Sequence, residues 1–149
     1  MLSLSQAGVD DLEELVSLRI EAMRESLERI GRFDPERARQ RLVAGFAPQF
    51  TRHVLVHGER VGFVTVKPDA NGLVLDHLYI RPAYQRTGIG SLVLAIVFEE
   101  ADAAGLQVRV GALRGSDSNR FYLRHGFVCV EEGEWDTYYT RVSSTMRRL

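Results

Sequence analysis

The sequence has few of the features that would place it in a specialised class of protein. Its 149 residues contain one cysteine, so no intrachain disulfide can form. No apolar run approaches the ~18 residues of a membrane-spanning helix, and the N-terminus lacks the layout of a signal peptide. The net charge of −1 argues against nucleic acid as the main partner, because phosphate binding needs a basic surface. We therefore expect a cytoplasmic protein that binds neither nucleic acid nor membrane.

The rest of the composition is that of a soluble globular domain. Apolar residues make up 45% of the chain and charged residues 26%, which are ordinary proportions. The length predicts a single domain, residues 1–149, that is large enough to bury a core. The cysteine, Cys129, lies in the apolar run Phe127-Val128-Cys129-Val130, and we expect it to be a small buried side chain.

The hydrophobic pattern predicts an order of helices and strands. Apolar residues recur with helical spacing over residues 10–29, and Asp34-Pro35 marks the start of a second helix. Gly58-Glu59 predicts a hairpin turn. Strands are predicted at about 52–57, 60–67, 73–80, 106–110, 127–132 and 135–141, and further helices at about 91–104 and from Ser116. This order is typical of a mixed α/β sheet with helices on both faces.

The most informative segment is residues 78–91, where a short apolar strand leads through a loop into a helix. The loop carries the ordered set Gln85-Arg86-x-Gly88-x-Gly90, directly before a helix expected from Ser91 to Ala104. Glycine lets the main chain approach a ligand closely, because it has no Cβ. Backbone N–H groups gather at such a helix start, and the helix macrodipole adds to their attraction for an anion. The segment therefore predicts an anion-binding loop.

Two other nucleotide-binding motifs fail to match this loop. A P-loop requires a lysine directly after its second glycine, and none is present. A dinucleotide fingerprint requires a third glycine at position 93, which is valine here. A purely structural turn between strand and helix stays open as an alternative.

The loop resembles the acyl-CoA pyrophosphate loop, Q/R-x-x-G-x-G/A, of the GNAT superfamily of N-acetyltransferases. A second segment, Arg120 to Phe127, resembles the family's F-Y-x-x-x-G-F element. The resemblance implies the GNAT fold, a central and mostly antiparallel sheet of six to seven strands flanked by about four helices. In that fold adjacent parallel strands splay apart and admit the pantetheine arm of the cofactor. The resemblance further implies acetyl-CoA as cosubstrate and no metal.

The resemblance also assigns the cofactor contacts. Backbone N–H groups of residues 86–90 would bind the pyrophosphate, with the side chains of Gln85 and Arg86 as further donors. Backbone groups of residues 78–80 would pair with the pantetheine amides, and one N–H would polarise the thioester carbonyl. The predicted cofactor-binding residues are Leu78, Tyr79, Ile80, Gln85, Arg86, Thr87, Gly88, Ile89, Gly90, Ser91, Ser116 and Asn119.

Two of these assignments depart from the family pattern. Family members often place an asparagine where this chain has Gly115, so Ser116 and Asn119 are named as nearby polar substitutes. Ser116 is alternatively only the N-cap of the short helix. Thr87 stands where the family usually has glycine or a basic residue, and its hydroxyl is a candidate donor.

Three residues are candidates for the chemistry. Tyr122 matches the family tyrosine near the cofactor sulfur, where it would steady the leaving thiolate; a core aromatic is the alternative. Asp76 and His77 are candidate bases for the amine proton. Successive strand residues face opposite sides, so only one of the two should face the site. A water chain, or an Asp–His pair with no catalytic role, stays open.

The implied reaction is direct attack of a primary amine, on a small molecule or a peptide, on the acetyl group of acetyl-CoA. Acidic and aromatic residues on the first helices and last hairpin would suit a cationic amine, although a cluster of arginines at 32, 37, 39 and 41 offsets them. A non-catalytic acyl-CoA sensor of the same fold is the main alternative, and a nucleotide-binding regulator is a weaker one. The acceptor and the choice between monomer and homodimer stay open.

Overall fold

The computed structural model describes residues 1–144 of the chain. These residues contain seven strands and four α-helices, joined by loops and short 3-10 turns. The predicted mixed α/β class is confirmed. In chain order the elements are β1 (Leu2–Gln6), α1 (Leu12–Arg29), α2 (Pro35–Ala44), β2 (Thr51–Val56), β3 (Glu59–Asp69), β4 (Gly72–Ile80), α3 (Ile89–Ala104), β5 (Val108–Leu113), α4 (Ser118–Arg124), β6 (Val128–Glu132) and β7 (Asp136–Arg141).

The strands form one sheet in the order β1-β2-β3-β4-β5-β7-β6. The pairs β1–β2, β2–β3, β5–β7 and β6–β7 are antiparallel. The pair β4–β5 is parallel, with Leu73, Val74 and Leu75 opposite Val108, Arg109 and Val110. β4 continues beyond this ladder to Ile80.

The chain divides into two compact units. The first unit contains Met1–Thr65 and His77–Gly90, and the second contains Val66–Asp76 and the chain from Ser91 onward. β3 and β4 each pass from one unit to the other. The expectation of a single domain over residues 1–149 stays a prediction.

The first unit has its core between α1, α2 and the strands. Its fully or nearly buried apolar side chains are Ala7, Leu15, Val16, Leu18, Leu42 and Phe63. The predicted start of α2 is confirmed, because the Asp34 carboxylate accepts a hydrogen bond from the Arg37 N–H at 3.1 Å. The hairpin prediction was one residue out: Val56 pairs with Glu59, so the turn residues are His57-Gly58.

The first strand, β1, was missed from the sequence. Leu2 and Leu4 alternate with serine over Leu2–Gln6. This alternation fits a strand in which one face is more buried than the other. The pattern covers only five residues, too few to stand out beside the long helical pattern that follows. β1 pairs with β2 along its whole length, from Leu2 opposite Val56 to Gln6 opposite Arg52.

The second unit is built on α3, which begins two residues earlier than predicted, at Ile89. Near the C-terminus of α3, the Asp102 carboxylate binds the Arg141 guanidinium through two hydrogen bonds of 2.9 and 3.0 Å. This buried arginine and the Ser144 N–H hold the pKa of Asp102 well below its usual range. Within residues 1–144 no helix is both long and apolar enough to cross a bilayer.

Two sequence predictions in the second unit were wrong. Cys129 is exposed, because all five residues of β6 are exposed and β6 is the last strand in the sheet order. The short helix α4 begins at Ser118 with Asp117 at its N-cap, so Ser116 does not cap it.

Candidate active site

The loop before α3 contains two residues in the left-handed backbone conformation. Arg86 and Gly88 both adopt positive φ angles, of 61° and 86°. A Cβ on Gly88 would have no heavy atom within 4 Å, so the space beside its Cα is open. Turn conformations and helix N-termini are both places where backbone N–H groups converge on an anion in proteins.

Side chains of the first unit hold this loop in place. The amide nitrogen of Gln85 donates to the carbonyl oxygens of Ile80 and Ala22, at 2.8 and 3.2 Å. The hydroxyl of Thr87 donates to the carbonyl oxygen of Tyr84. Both side chains therefore use their donors within the protein here, and the predicted side-chain contacts from Gln85 and Thr87 to a pyrophosphate stay predictions.

The end of β4 is anchored to its neighbours in the first unit. The Arg81 N–H donates to the Val61 carbonyl oxygen at 2.8 Å, and its guanidinium binds Glu21 of α1 at 3.1 Å. Gly62 makes the close approach possible, because a Cβ there would overlap the Tyr79 carbonyl oxygen and the Ile80 side chain. The backbone of residues 78–80 is therefore fixed from one side by β3.

The two candidate bases lie in different surroundings. His77 is 4% exposed and packs against the rings of Tyr79 and Phe63, with centroids 5.9 and 6.0 Å away. Asp76 instead forms an ion pair with Lys67 at 3.0 Å. Opposite orientation of the two neighbours follows from the strand geometry. Asp76 is therefore engaged with a cation, whereas His77 is surrounded by aromatic rings.

Tyr122 lies in an aromatic cluster of the second unit. It is 7% exposed, and its ring centroid is 5.3 Å from that of Phe127 and 5.6 Å from that of Phe121. The ring centroid of Tyr139 lies 6.3 Å from that of Tyr122. Such packing fixes the ring orientation, which both a core role and a catalytic role require.

Asn119 acts as a local brace. Its amide nitrogen donates to the carbonyl oxygens of Leu113 and Ser116, at 2.9 and 3.0 Å, while its oxygen accepts from the Tyr139 hydroxyl at 2.6 Å. Its polar atoms are thus engaged with the protein. Gly115 has φ = 84°, a conformation open to glycine and, less readily, to asparagine. The cofactor contacts predicted for Ser116 and Asn119 stay predictions.

Several polar contacts were not predicted from the sequence. The Ser91 hydroxyl lies 2.9 Å from Nε2 of His125. In the first unit, the buried His53 lies 2.9 Å from the Asp11 carboxylate, which also binds Arg60. The Gly8 N–H and His53 lower the pKa of Asp11 to about 2. These pairs join residues that are distant in sequence, so no local sequence pattern predicts them.

Arg19 is the other unpredicted feature of the first unit. It lies on α1 and is 5% exposed, with its guanidinium carbon 5.4 Å from the centroid of the Tyr79 ring. A signal was present in the sequence: Arg19 follows the buried Leu15 by four residues and so lies on the same helix face. The charge of arginine argued for solvent instead.

Comparison with known proteins agrees with this arrangement. The family model described as "Acetyltransferase (GNAT) domain" matches residues 50–129, more than half of the chain. The chain therefore belongs to the GNAT acetyltransferase family, and it has the GNAT fold. A sequence search of curated proteins found no significant match.

Solved structures with the same fold cover nearly the whole chain. A PaiA N-acetyltransferase from Thermoplasma acidophilum, in complex with coenzyme A, has a TM-score of 0.75 and 18% identity over 95% of this chain and 99% of its own. A GCN5-related N-acetyltransferase from Rhodopseudomonas palustris has a TM-score of 0.74 and 21% identity over 94% of both chains. The ribosomal-protein-S18-alanine N-acetyltransferase from Escherichia coli has a TM-score of 0.71 and 15% identity over 96% and 95%.

Proposed function

We propose that the protein is an N-acetyltransferase that moves the acetyl group of acetyl-CoA to a primary amine of a small molecule or peptide. The observation that carries the proposal is the loop before α3, with Arg86 and Gly88 in left-handed conformations and open space beside Gly88. Its backbone N–H groups, from Arg86 to Gly90, would bind the pyrophosphate, and Ser91 would add its hydroxyl. A solved relative of the same fold is described in complex with coenzyme A.

The strand β4 is suited to the pantetheine arm. Its parallel pairing with β5 runs from Leu73 to Leu75, and the strand continues to Ile80. Backbone groups of residues 78–80 would pair with the two pantetheine amides as a neighbouring strand does. One N–H in this segment would polarise the thioester carbonyl, and such a donor contributes about 3 kcal/mol of transition-state stabilisation.

Tyr122 is proposed to stabilise the departing thiolate. A phenol has a pKa near 10 and an alkyl thiol one of about 8.5, so full proton transfer to the thiolate is slightly uphill. Tyr122 would therefore act chiefly as a hydrogen-bond donor, with the net proton supplied from water. Its buried, aromatic surroundings support this role because they fix the ring and limit competing water.

His77 is proposed as the base, directly or through water. An alkyl amine with a pKa of about 10.4 is neutral in about one molecule per 2,500 at pH 7, so attack requires removal of a proton. His77 is preferred over Asp76 because Asp76 is paired with Lys67. His77 lies beside Tyr79, within the β4 segment proposed to bind pantetheine.

Incubation with acetyl-CoA and a panel of primary amines tests the proposal. We expect free thiol to appear only when an acceptor amine is present, together with an acetylated product seen by mass spectrometry. Calorimetric titration with coenzyme A should give saturable binding. No binding at millimolar coenzyme A would contradict the proposal at its first step. The cytoplasmic location and the oligomeric state stay predictions for separate experiments.

A sensor that binds acyl-CoA without turnover is the second candidate. Gly115 in place of the family asparagine, and the complete use of Asn119 within the protein, favour it. The same assay separates the two functions. Saturable acetyl-CoA binding with no thiol release on any amine would support the sensor, whereas amine-dependent release would exclude it.

A further inference from the structure

Arg19 is a buried cation in the first unit that forms no ion pair with any acidic side chain among residues 1–144. It is 5% exposed, and its hydrogen bond to protein runs from Nη1 to the Ala38 carbonyl oxygen at 2.5 Å. Its Nε is buried and, within residues 1–144, has no hydrogen-bond partner. A buried charge is costly unless it is paired and hydrogen-bonded. Within the described part of the chain, Arg19 therefore lacks two stabilising interactions: an acidic partner and an acceptor for its Nε–H.

The acidic residues of α1 do not pair with Arg19. Each of the five forms an ion pair with another arginine: Glu13 with Arg39, Glu14 with Arg60, Glu21 with Arg81, Glu25 with Arg29, and Glu28 with Arg24. The ring of Tyr79, whose centroid lies 5.4 Å from the guanidinium carbon, offers a cation–π contact, which is a weaker interaction than an ion pair. The five acidic residues of α1 are therefore each engaged with another arginine, which leaves Arg19 able to bind a further negatively charged group.

The unpaired side of the guanidinium indicates the chemistry of that group. Nη1 is committed to Ala38, which leaves Nε and its neighbour Nη2. These two N–H groups form a planar edge that matches the two oxygens of a carboxylate. Of the guanidinium nitrogens, Nε is the one that is both buried and unpartnered within residues 1–144, so Nη2 keeps access to the surface.

We propose that Arg19 binds a carboxylate carried by the acceptor, so that the acceptor is an amino acid or a similar amine with an anionic group close to its amino group. This inference rests on the proposed function, in which residues 78–80 bind pantetheine. Arg19 packs on Tyr79, the central residue of that segment, and the ring of His77 also packs against Tyr79. The carboxylate would be held by Arg19 while the amine faces the thioester.

Matched acceptors test the proposal on the unmodified protein. Acetylation of each common amino acid is compared with that of its carboxamide and of its decarboxylated amine. We expect the acid to have a kcat/KM at least about tenfold above that of the amide, because hydrogen bonds to charged groups are strong. Equal kcat/KM values for acid and amide, or turnover confined to amines without a carboxylate, would overturn the proposal and leave the transferase function intact.

The variant Arg19→Lys tests the residue. It keeps the positive charge and loses the planar edge, so KM for the acid should rise about tenfold while KM for the amide and for acetyl-CoA stay unchanged. Arg29→Lys, on the exposed side of the same helix, is the matched control and should change none of these values. An Arg19→Lys enzyme that loses activity equally on acid and amide, with a lower Tm, would assign Arg19 to structure alone. Absence of turnover on every amine would instead refute the transferase function itself.

Discussion

The hydroxyl of Ser91 lies 2.9 Å from Nε2 of His125. Ser91 stands in the first turn of α3, directly after Gly90, and His125 is the C-cap residue of α4. The hydrogen bond therefore joins the start of the helix that follows the glycine loop to the C-terminal end of α4, inside the F-Y-x-x-x-G-F element. Burial and the neighbouring Arg124 charge lower the pKa of His125 below its ordinary value.

This lowered pKa predicts a pH dependence of stability. The unfolded chain, with a histidine pKa of about 6.5, binds the proton more tightly than the folded protein does. Stability should therefore fall as the pH drops through 6.5 towards the lower pKa of the folded state. His125→Gln removes the titrating group and keeps an amide that can bond to Ser91, so its Tm should fall less between pH 8 and pH 5.5.

The exposed His57→Gln is the control for loss of a histidine. The difference in acid loss of Tm between the two variants isolates the contribution of His125. A His125→Gln protein with the full acid loss of Tm would show that His125 does not carry this dependence.

Gly88→Glu should abolish coenzyme A binding. The side chain would enter the open space beside Gly88 and put negative charge where the pyrophosphate is proposed to bind. The left-handed backbone adds a strain of about 1–2 kcal/mol. Calorimetric titration with coenzyme A measures the loss.

Gly31→Glu is the control that distinguishes the effect of negative charge at the pyrophosphate site from the effect of backbone strain. Gly31 has φ = 69°, follows the end of α1, and also has no heavy atom within 4 Å of an added Cβ. Both variants should therefore lose similar stability, but Gly31→Glu should bind coenzyme A normally. Normal affinity in Gly88→Glu would refute the proposed pyrophosphate site.

The sequence predicted what local chemistry dictates. The glycine loop, the Asp34 cap and the order of the later elements each follow from neighbouring residues, and the structure has them within a few positions. The family follows from two short motifs, and the match over residues 50–129 confirms it.

Features that depend on tertiary packing were not predictable in the same way. The hydrogen bond that Asn119 accepts from Tyr139, twenty residues away, had no signal in the sequence, and the predicted contact of Asn119 with the cofactor stays a prediction. The sequence assigned no role to Arg19, which is buried against Tyr79. Cys129 was expected to be buried because its neighbours are apolar, but the position of β6 at the end of the sheet decides its exposure.

Tyr122→Phe should lower kcat about a hundredfold and leave coenzyme A affinity nearly unchanged. The change removes one hydroxyl and keeps the ring that packs against Phe127, so the fold should persist. An interaction made mainly with the developing thiolate affects kcat rather than ground-state binding. Steady-state kinetics and calorimetry together measure both quantities.

Tyr84→Phe is the matched control for this substitution. Its hydroxyl donates to Glu59 in the first unit, at an exposed position. Its loss should change neither kcat nor coenzyme A affinity. If Tyr122→Phe retains the full rate, Tyr122 is a packing residue and another group must stabilise the thiolate.

Gly62→Ala should both destabilise the protein and weaken coenzyme A binding. The added methyl would overlap the Tyr79 carbonyl oxygen, which belongs to the backbone and cannot rotate away as a side chain can. We expect a loss of about 1–3 kcal/mol in the free energy of unfolding, typical of overpacking. Because β4 must shift at residues 79 and 80 to relieve the overlap, the backbone groups proposed for pantetheine shift as well.

Gly8→Ala is the control, since its Cβ would meet only Asp11 at an ordinary 3.8 Å. If the two variants have equal stability and equal coenzyme A affinity, the close contact between β3 and β4 at Gly62 has no part in cofactor binding.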